Sequence, residues 1–235
     1  MKNTFKILVI ILLVLAISLI YFSVFPSKII TTSIITYVES PTLIIDAGHG
    51  GQDSGTIAKD GTFESDINLA ISYKLKNFLV SFGFNVIMTR TDENLIGDNT
   101  LPTIRERKRS DVKKRLEIIE SAQNPVLISI HQNYFTSSEY YGVQVFYSKN
   151  HSESEILAGY IQNSAVSHIQ KENKRQIKPI GKEIWLLHNT QCPAIMVECG
   201  FLSNSKELEK LKDDTYQKDI AFMITMGIIN YYTKI

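Results

Sequence analysis

"LIIDAGHGGQDSG", residues 43–55, is the stretch on which the reading of this chain turns. A short apolar run leads into an aspartate and then into a glycine-rich turn with His49 near its tip. Two chemistries use such a turn: it can cradle a phosphate on its backbone amides, or it can present an imidazole to a metal. The glycines alone do not choose between them, so the rest of the chain has to.

Outward from this turn, strands and helices alternate. Apolar runs of strand length and β-branched content lie at 42–46, 84–89, 126–131, 143–147, 184–187 and 193–198. Helical patterns separate them. In "DINLAISYKLKNFLVSFG", Ile67, Ile71, Leu75, Phe78 and Phe82 fall on one face, Ser65 or Asp66 can cap the start, and Gly83 marks a stop. Residues 103–122, 153–172 and 216–232 read as further helices, with a shorter one near 204–212. The expected fold class is therefore α/β: one domain with a central, mostly parallel or mixed sheet of about six strands and helices on both faces. An N-terminal membrane-anchor helix precedes it.

That anchor is read from residues 7–25, "ILVIILLVLAISLIYFSVF", interrupted only by Ser18 and Ser23. At 1.5 Å per residue this run just crosses a hydrocarbon core of roughly 30 Å. Lys2 and Lys6 ahead of it keep the short tail in the cytoplasm and send the remainder outside. The competing reading is a cleaved signal peptide, which would release a secreted protein, but no small-x-small site follows the apolar run. With the first cysteine at Cys192, no N-terminal lipid attachment is available. The expected organisation is an anchor over 1–27, a tether over 28–40 and a globular domain over 41–235.

Composition narrows the partners. A formal net charge of +1 gives no polyelectrolyte character, so nucleic acid is not an expected ligand. The basic stretch "RERKRSDVKKR", residues 105–115, reads first as a solvated helix face, and second as a contact for an anionic polymer or a partner protein. The strand "CPAIMVEC" separates Cys192 from Cys199 by about 23 Å, well beyond the roughly 7 Å that a disulfide allows, so both thiols are expected free.

Four candidate groups collect at strand ends. His49 lies beyond the first strand, His131 ends "VLISIH", Glu198 ends "AIMVE", and Glu64 in "FESDINL" precedes the first helix. In open α/β sheets, ligands gather outside the carboxyl ends of the strands. Two imidazoles and a carboxylate make a three-ligand zinc site with the fourth position open to water, and a second carboxylate can then move a proton from that water to a leaving amine. Each group also has a plainer reading. Either histidine can be a satisfied surface or core residue, Glu64 can stabilise a helix N-terminus, and Glu198 can pair with a base. His151 and His168 lie in polar or helical stretches, and His188 in "WLLHNT" can touch a substrate. There is no G-x-x-x-x-G-K-[ST], no H-E-x-x-H and no G-x-S-x-G, so the phosphate turn, the common zinc-protease helix and the serine elbow are all set aside.

Taken in order, "IDAGHGGQDSG", "ESDINL", "VIMTRTDE", "LISIHQN" and "PAIMVECGFLSN" resemble the zinc-dependent N-acetylmuramoyl-L-alanine amidases of the type-3 group, over residues 42 to about 232. The resemblance implies an α/β hydrolase of peptidoglycan, acting on glycan strands and their stem peptides. It implies one Zn²⁺ held by His49, Glu64 and His131, with Glu198 as catalytic acid/base and Asn133 near the substrate. A bare catalytic domain on an anchor, "KRSDVKKR", "VQVFYS" and "VECGFLSN" are most similar to the spore-cortex branch, which trims peptide from muramic acid so that muramic-lactam can form. That branch would place the protein in the intermembrane space of the developing spore. His188 departs from the Lys or Arg expected there. A vegetative amidase of division or turnover, a wall-binding module active only with a protein partner, and a zinc peptidase cutting within the stem stand as alternatives.

Overall fold

The computed structural model describes residues 41–234. The anchor read at 7–25 and the tether at 28–40 lie outside these residues. Among the described residues, no helix is long and apolar enough to cross a membrane.

Among the described residues twelve elements follow one another: β1 (Thr42–Ala47), α1 (Glu64–Ser81), β2 (Asn85–Met88), α2 (Ile104–Ser121), β3 (Pro125–Asn133), β4 (Gln144–Tyr147), α3 (Glu153–His168), β5 (Lys178–Pro179), α4 (Trp185–Asn189), β6 (Ala194–Phe201), α5 (Ser205–Lys212) and α6 (Asp214–Thr233). The strands form one mixed sheet in the order β2-β1-β3-β6-β4-β5. β1, β2, β3 and β6 run parallel, while β4 pairs antiparallel with β6.

Alternation along the strands divides the core into two. Leu43, Ile45, Ile128, Ile130, Ile195 and Val197 face one side and pack under α1, α3, α5 and α6. Ile44, Leu127 and Met196 point to the other side, against Ile119 of α2 and Leu186 and Leu187 of α4. Successive strand residues point to opposite faces, so a strand buried on both sides reads as the unbroken apolar run seen in "TLII".

Several expectations need correction. The run at 184–187 is not a strand: Trp185–Asn189 is the short helix α4, whose Leu186 and Leu187 bury against the α2 side of the sheet. A four-residue apolar run carries no period long enough to separate the two forms. The sixth strand is instead the two-residue edge β5, where Pro179 is tolerated. α1 begins two or three residues earlier than a Ser65 or Asp66 cap would set, since Phe63 is its N-cap, without a side-chain bond, and Glu64 is its first residue. Phe82 lies past the helix end and is 52% exposed, so it leaves the buried face shared by Ile67, Ile71 and Leu75. α3 stops at His168, because Gln170 and Asn173 turn back to bond the backbone of Val143. Cys192 and Cys199 are both free.

Candidate metal centre

Parallel pairing puts the carboxyl ends of β1, β3 and β6 on one edge, in adjacent positions. His49 follows β1 by two residues, and His131 and Glu198 are directly opposed partners on β3 and β6. Glu64 reaches the same place from the first position of α1.

The His49 turn is held in a conformation the chain would not choose unaided. His49 has φ 61°, in the left-handed region, where a non-glycine residue costs about 1–3 kcal/mol. Two buried arginines fix the three carbonyls around it. Arg90 donates to the oxygens of Ala47 (2.8 Å) and Gly48 (3.1 Å). Arg115 donates to Ala47 (2.8 Å) and to His49 itself (2.7 Å). Close approach then restricts the neighbours: a Cβ at Gly48 would run into the His131 ring. At Gly55, whose φ is +66°, it would lie 2.6 Å from a Glu64 oxygen.

At the centre, His131 Nδ1 lies 3.0 Å and His49 Nε2 3.4 Å from Oε1 of Glu64. The two imidazoles meet edge to face, with centroids 4.9 Å apart. Glu64 also accepts from the backbone amides of Thr56 (2.9 Å) and Gln132 (3.1 Å). Burial would push its carboxyl up, but His131 and His49 outweigh that and hold it well below the usual carboxylate range. Burial likewise works against a charged His49, and Asp53 and Glu64 reverse it, leaving the ring up at about 9. His49 Nδ1 faces Asp53 at 3.0 Å, which leaves Nε2 as the atom free to bind a metal. The ligand atoms of His49, Glu64 and His131 all lie within 4.8 Å of one another and could hold a metal ion.

Glu198 differs from every other carboxylate here. The residue is partly exposed at the site, yet its Oε2 is buried with no hydrogen-bond partner. Burial pushes its carboxyl up to about 7, with His131 opposing and Glu64 adding to the rise. Two imidazoles and a carboxylate suit zinc, and beside them stands a buried carboxylate oxygen with no structural partner. The residues present fit the metal.

The other two candidates stand apart. Asn133 is two residues beyond His131, past a bulge in the β3–β6 ladder, with its carbonyl accepting from Leu202. His188 is exposed on α4, and it is its backbone oxygen, not its ring, that accepts from Asn150. A cavity of about 770 Å³ opens beside His49 and His131, walled by one face of α2 and by residues 183–187, and neither Asn133 nor His188 lines it.

Sequence reading missed the groups that brace this edge. Arg115 is 3% exposed and bridges Asp46 (2.6 Å) and Asp111 (2.7 Å). Asp46 also accepts from Thr89 (2.8 Å) and Ser129 (2.6 Å). Burial pushes the Asp46 carboxyl up, and Arg115 and Ser129 more than reverse this, leaving it at about 2. The basic stretch is thus a solvated face only in part: within it Asp111 and Arg115 are buried, while Lys113 and Lys114 stay exposed. The signal was present as Asp111, Arg115 and Ile119 at spacings of four.

Residues 43–230 match the N-acetylmuramoyl-L-alanine amidase family. The chain belongs to that family. Among curated relatives, the germination-specific N-acetylmuramoyl-L-alanine amidase of Bacillus subtilis is 31% identical over 192 residues, 82% of this chain and 80% of that one. Among solved structures, the CwlD amidase of Clostridioides difficile, in complex with the GerS lipoprotein, is 41% identical, with a TM-score of 0.80. The match covers 83% of this chain and 100% of that one. The catalytic domain of CwlV from Bacillus (Paenibacillus) polymyxa is 27% identical over 82% of this chain and 98% of that one, with a TM-score of 0.66. The stretch shared with the amidase family contains all four groups at the sheet edge.

Proposed function

We propose that this protein is a zinc-dependent amidase that cleaves peptidoglycan between the lactyl group of N-acetylmuramic acid and L-alanine. The buried, unpartnered Oε2 of Glu198 beside the His49–Glu64–His131 cluster is the observation that carries this reading. His49, Glu64 and His131 hold the zinc, which when bound polarises the scissile carbonyl and makes water a competent nucleophile near neutral pH. Glu198 takes the proton of the attacking water and returns it to the alanine nitrogen as the amide breaks. Asp53 keeps His49 in one tautomer, and the Arg90–Arg115 clamp keeps its backbone in place.

Similarity to the germination-specific amidase and to CwlD supports a role in the spore cortex, where removal of the stem peptide lets muramic-lactam form. Under this reading the enzyme works outside the cytoplasmic membrane, tethered through residues 7–25. The complex of CwlD with GerS favours an activating protein partner for this chain also.

The test is turnover of purified peptidoglycan by the full chain in detergent, with zinc supplied or chelated, followed by assay of new N-terminal alanine. Release should require zinc and should vanish in Glu198→Ala while bound zinc is retained. Activity in a folded Glu198→Ala protein would remove Glu198 from this role. Cuts inside the stem would replace the amidase with a peptidase.

A further inference from the structure

The cavity beside the metal ligands carries more charge than the proposed chemistry uses. Along α2, Arg105, Lys108, Arg109, Val112 and Arg115 share one face and line it. Two of these cations are already answered. Arg115 is held by Asp46 and Asp111, and Lys108 lies 2.7 Å from Asp53, which itself holds His49. Among the described residues, the guanidinium groups of Arg105 and Arg109 have no ion-pair or hydrogen-bond partner. The first turn that carries Arg105 is fixed, since Thr103 and Glu106 close a reciprocal cap at the start of the helix. Across the cavity stands a single unpaired carboxylate, Glu183, beside the apolar wall of Ile184, Trp185 and Leu187.

We propose that Arg105 and Arg109 form a carboxylate-binding subsite that reads the stem peptide on the leaving-group side of the scissile amide. This rests on the amidase reading above. The charge selects peptide over glycan. A strand of N-acetylated sugars whose lactyl groups are in amide linkage is uncharged, whereas the stem joins L-alanine to a γ-linked glutamyl residue whose α-carboxylate stays free. The length also agrees. Arg115 touches the His49 carbonyl, and Arg109 and Arg105 stand about 9 Å and about 15 Å further along the helix axis at 1.5 Å per residue. An extended peptide advances about 3.5 Å per residue, so about 9 Å spans two to three residues and about 15 Å roughly four, which puts Arg109 within reach of the second and third stem residues and Arg105 of the region beyond. Guanidinium forks suit carboxylates better than an ammonium does, because they donate two parallel hydrogen bonds.

The experiment gives the zinc-loaded enzyme two substrates, glycan strands whose second stem residue has a free α-carboxylate or the corresponding α-carboxamide. The wild-type chain should show a lower KM for the carboxylate form, by about tenfold, with similar kcat. Arg105→Gln with Arg109→Gln should raise KM for the carboxylate form by about that factor and leave the carboxamide unchanged, so discrimination disappears. Arg105→Lys with Arg109→Lys should restore part of it, and Glu183→Gln should lower KM for the carboxylate form. Retained discrimination in the double glutamine variant, or equal loss on both substrates, would overturn the subsite. If neither substrate is turned over by the wild-type chain, the amidase reading fails separately. Calorimetric binding of the free peptide L-Ala-γ-D-Glu-diaminopimelate then tests the subsite: weaker binding in the double variant supports it, and unchanged binding overturns it.

Discussion

Asp53 sits behind a candidate metal ligand and can act on it through one hydrogen bond. Its carboxylate accepts from His49 Nδ1 at 3.0 Å and pairs with Lys108 at 2.7 Å. Partners of this kind set the tautomer of a metal-binding imidazole, and their loss typically costs 10–100-fold in metal affinity. Asp53→Asn should weaken zinc binding by roughly that factor in a chelator competition, with the fold unchanged by circular dichroism. An unaltered affinity would mean that Glu64 alone orients the ring. Asp46 gives a second prediction, with a sign fixed by its shift. Its carboxyl is lowered from 3.8 to about 2, so its stabilisation is complete above pH 4 and is lost as the pH falls through about 2. The shift corresponds to about 2 kcal/mol. Urea unfolding between pH 5 and pH 2 should show that slope in the wild-type chain and a shallower one in Asp46→Asn. The variant should also be less stable at neutral pH by about 3 kcal/mol, because Arg115 would keep Asp111 but lose its other buried partner. The four groups at the sheet edge were legible only together, as polar side chains following three separate apolar strand runs with a carboxylate near a helix start; each alone has an ordinary structural use. Asp46, Asp53 and Arg115 were not, because what they do depends on burial and on partners up to 69 residues away.

Among the elements, α6 tests the packing argument with a single atom. Gly227 sits within this helix, where alanine would ordinarily stabilise by about 1 kcal/mol. Here a Cβ would lie 2.8 Å from the Cα of Ile161 in α3, a backbone atom that cannot rotate away. Overpacking of this kind costs roughly 1–3 kcal/mol and reverses the sign. Gly227→Ala should therefore lower the melting temperature, and a rise would show that α3 and α6 have room to separate. Helices α1 and α6 were readable because each presents several apolar turns of one period, and α2 from the shorter stripe of Val112, Leu116 and Ile119. α4 was not, since "IWLL" offers fewer than two turns and its choice of helix comes from docking Leu186 and Leu187 beneath α2. The end of α3 was hidden for a related reason. Gln170 carries no helix-stop signature and Asn173 marks a stop five residues too late; both lie outside the helix, with their side chains bonding Val143 just ahead of β4.

At the scale of the molecule, what no local pattern contains is strand order. The site exists because β3 lies between β1 and β6, bringing residues 49, 131 and 198 to one edge from distant parts of the chain. Alternation of strands and helices could establish a layered sheet, but adjacency follows from which faces bury together. That assembly also sets how metal and fold are linked. His49 comes from the turn after β1, Glu64 from α1 and His131 from β3, so a bound ion would join three elements that the unfolded chain leaves apart. A ligand that binds only the folded state stabilises it by about 4 kcal/mol when its free concentration is a thousand times Kd. In a domain of this size that raises Tm by roughly 10 °C. Scanning calorimetry with zinc or with chelator should show such a shift in the wild-type chain and in Glu198→Ala, which keeps all three ligands. His131→Ala should show little. An equal shift in His131→Ala would place the ion somewhere other than these three elements, and no shift in the wild-type chain would end the zinc assignment itself.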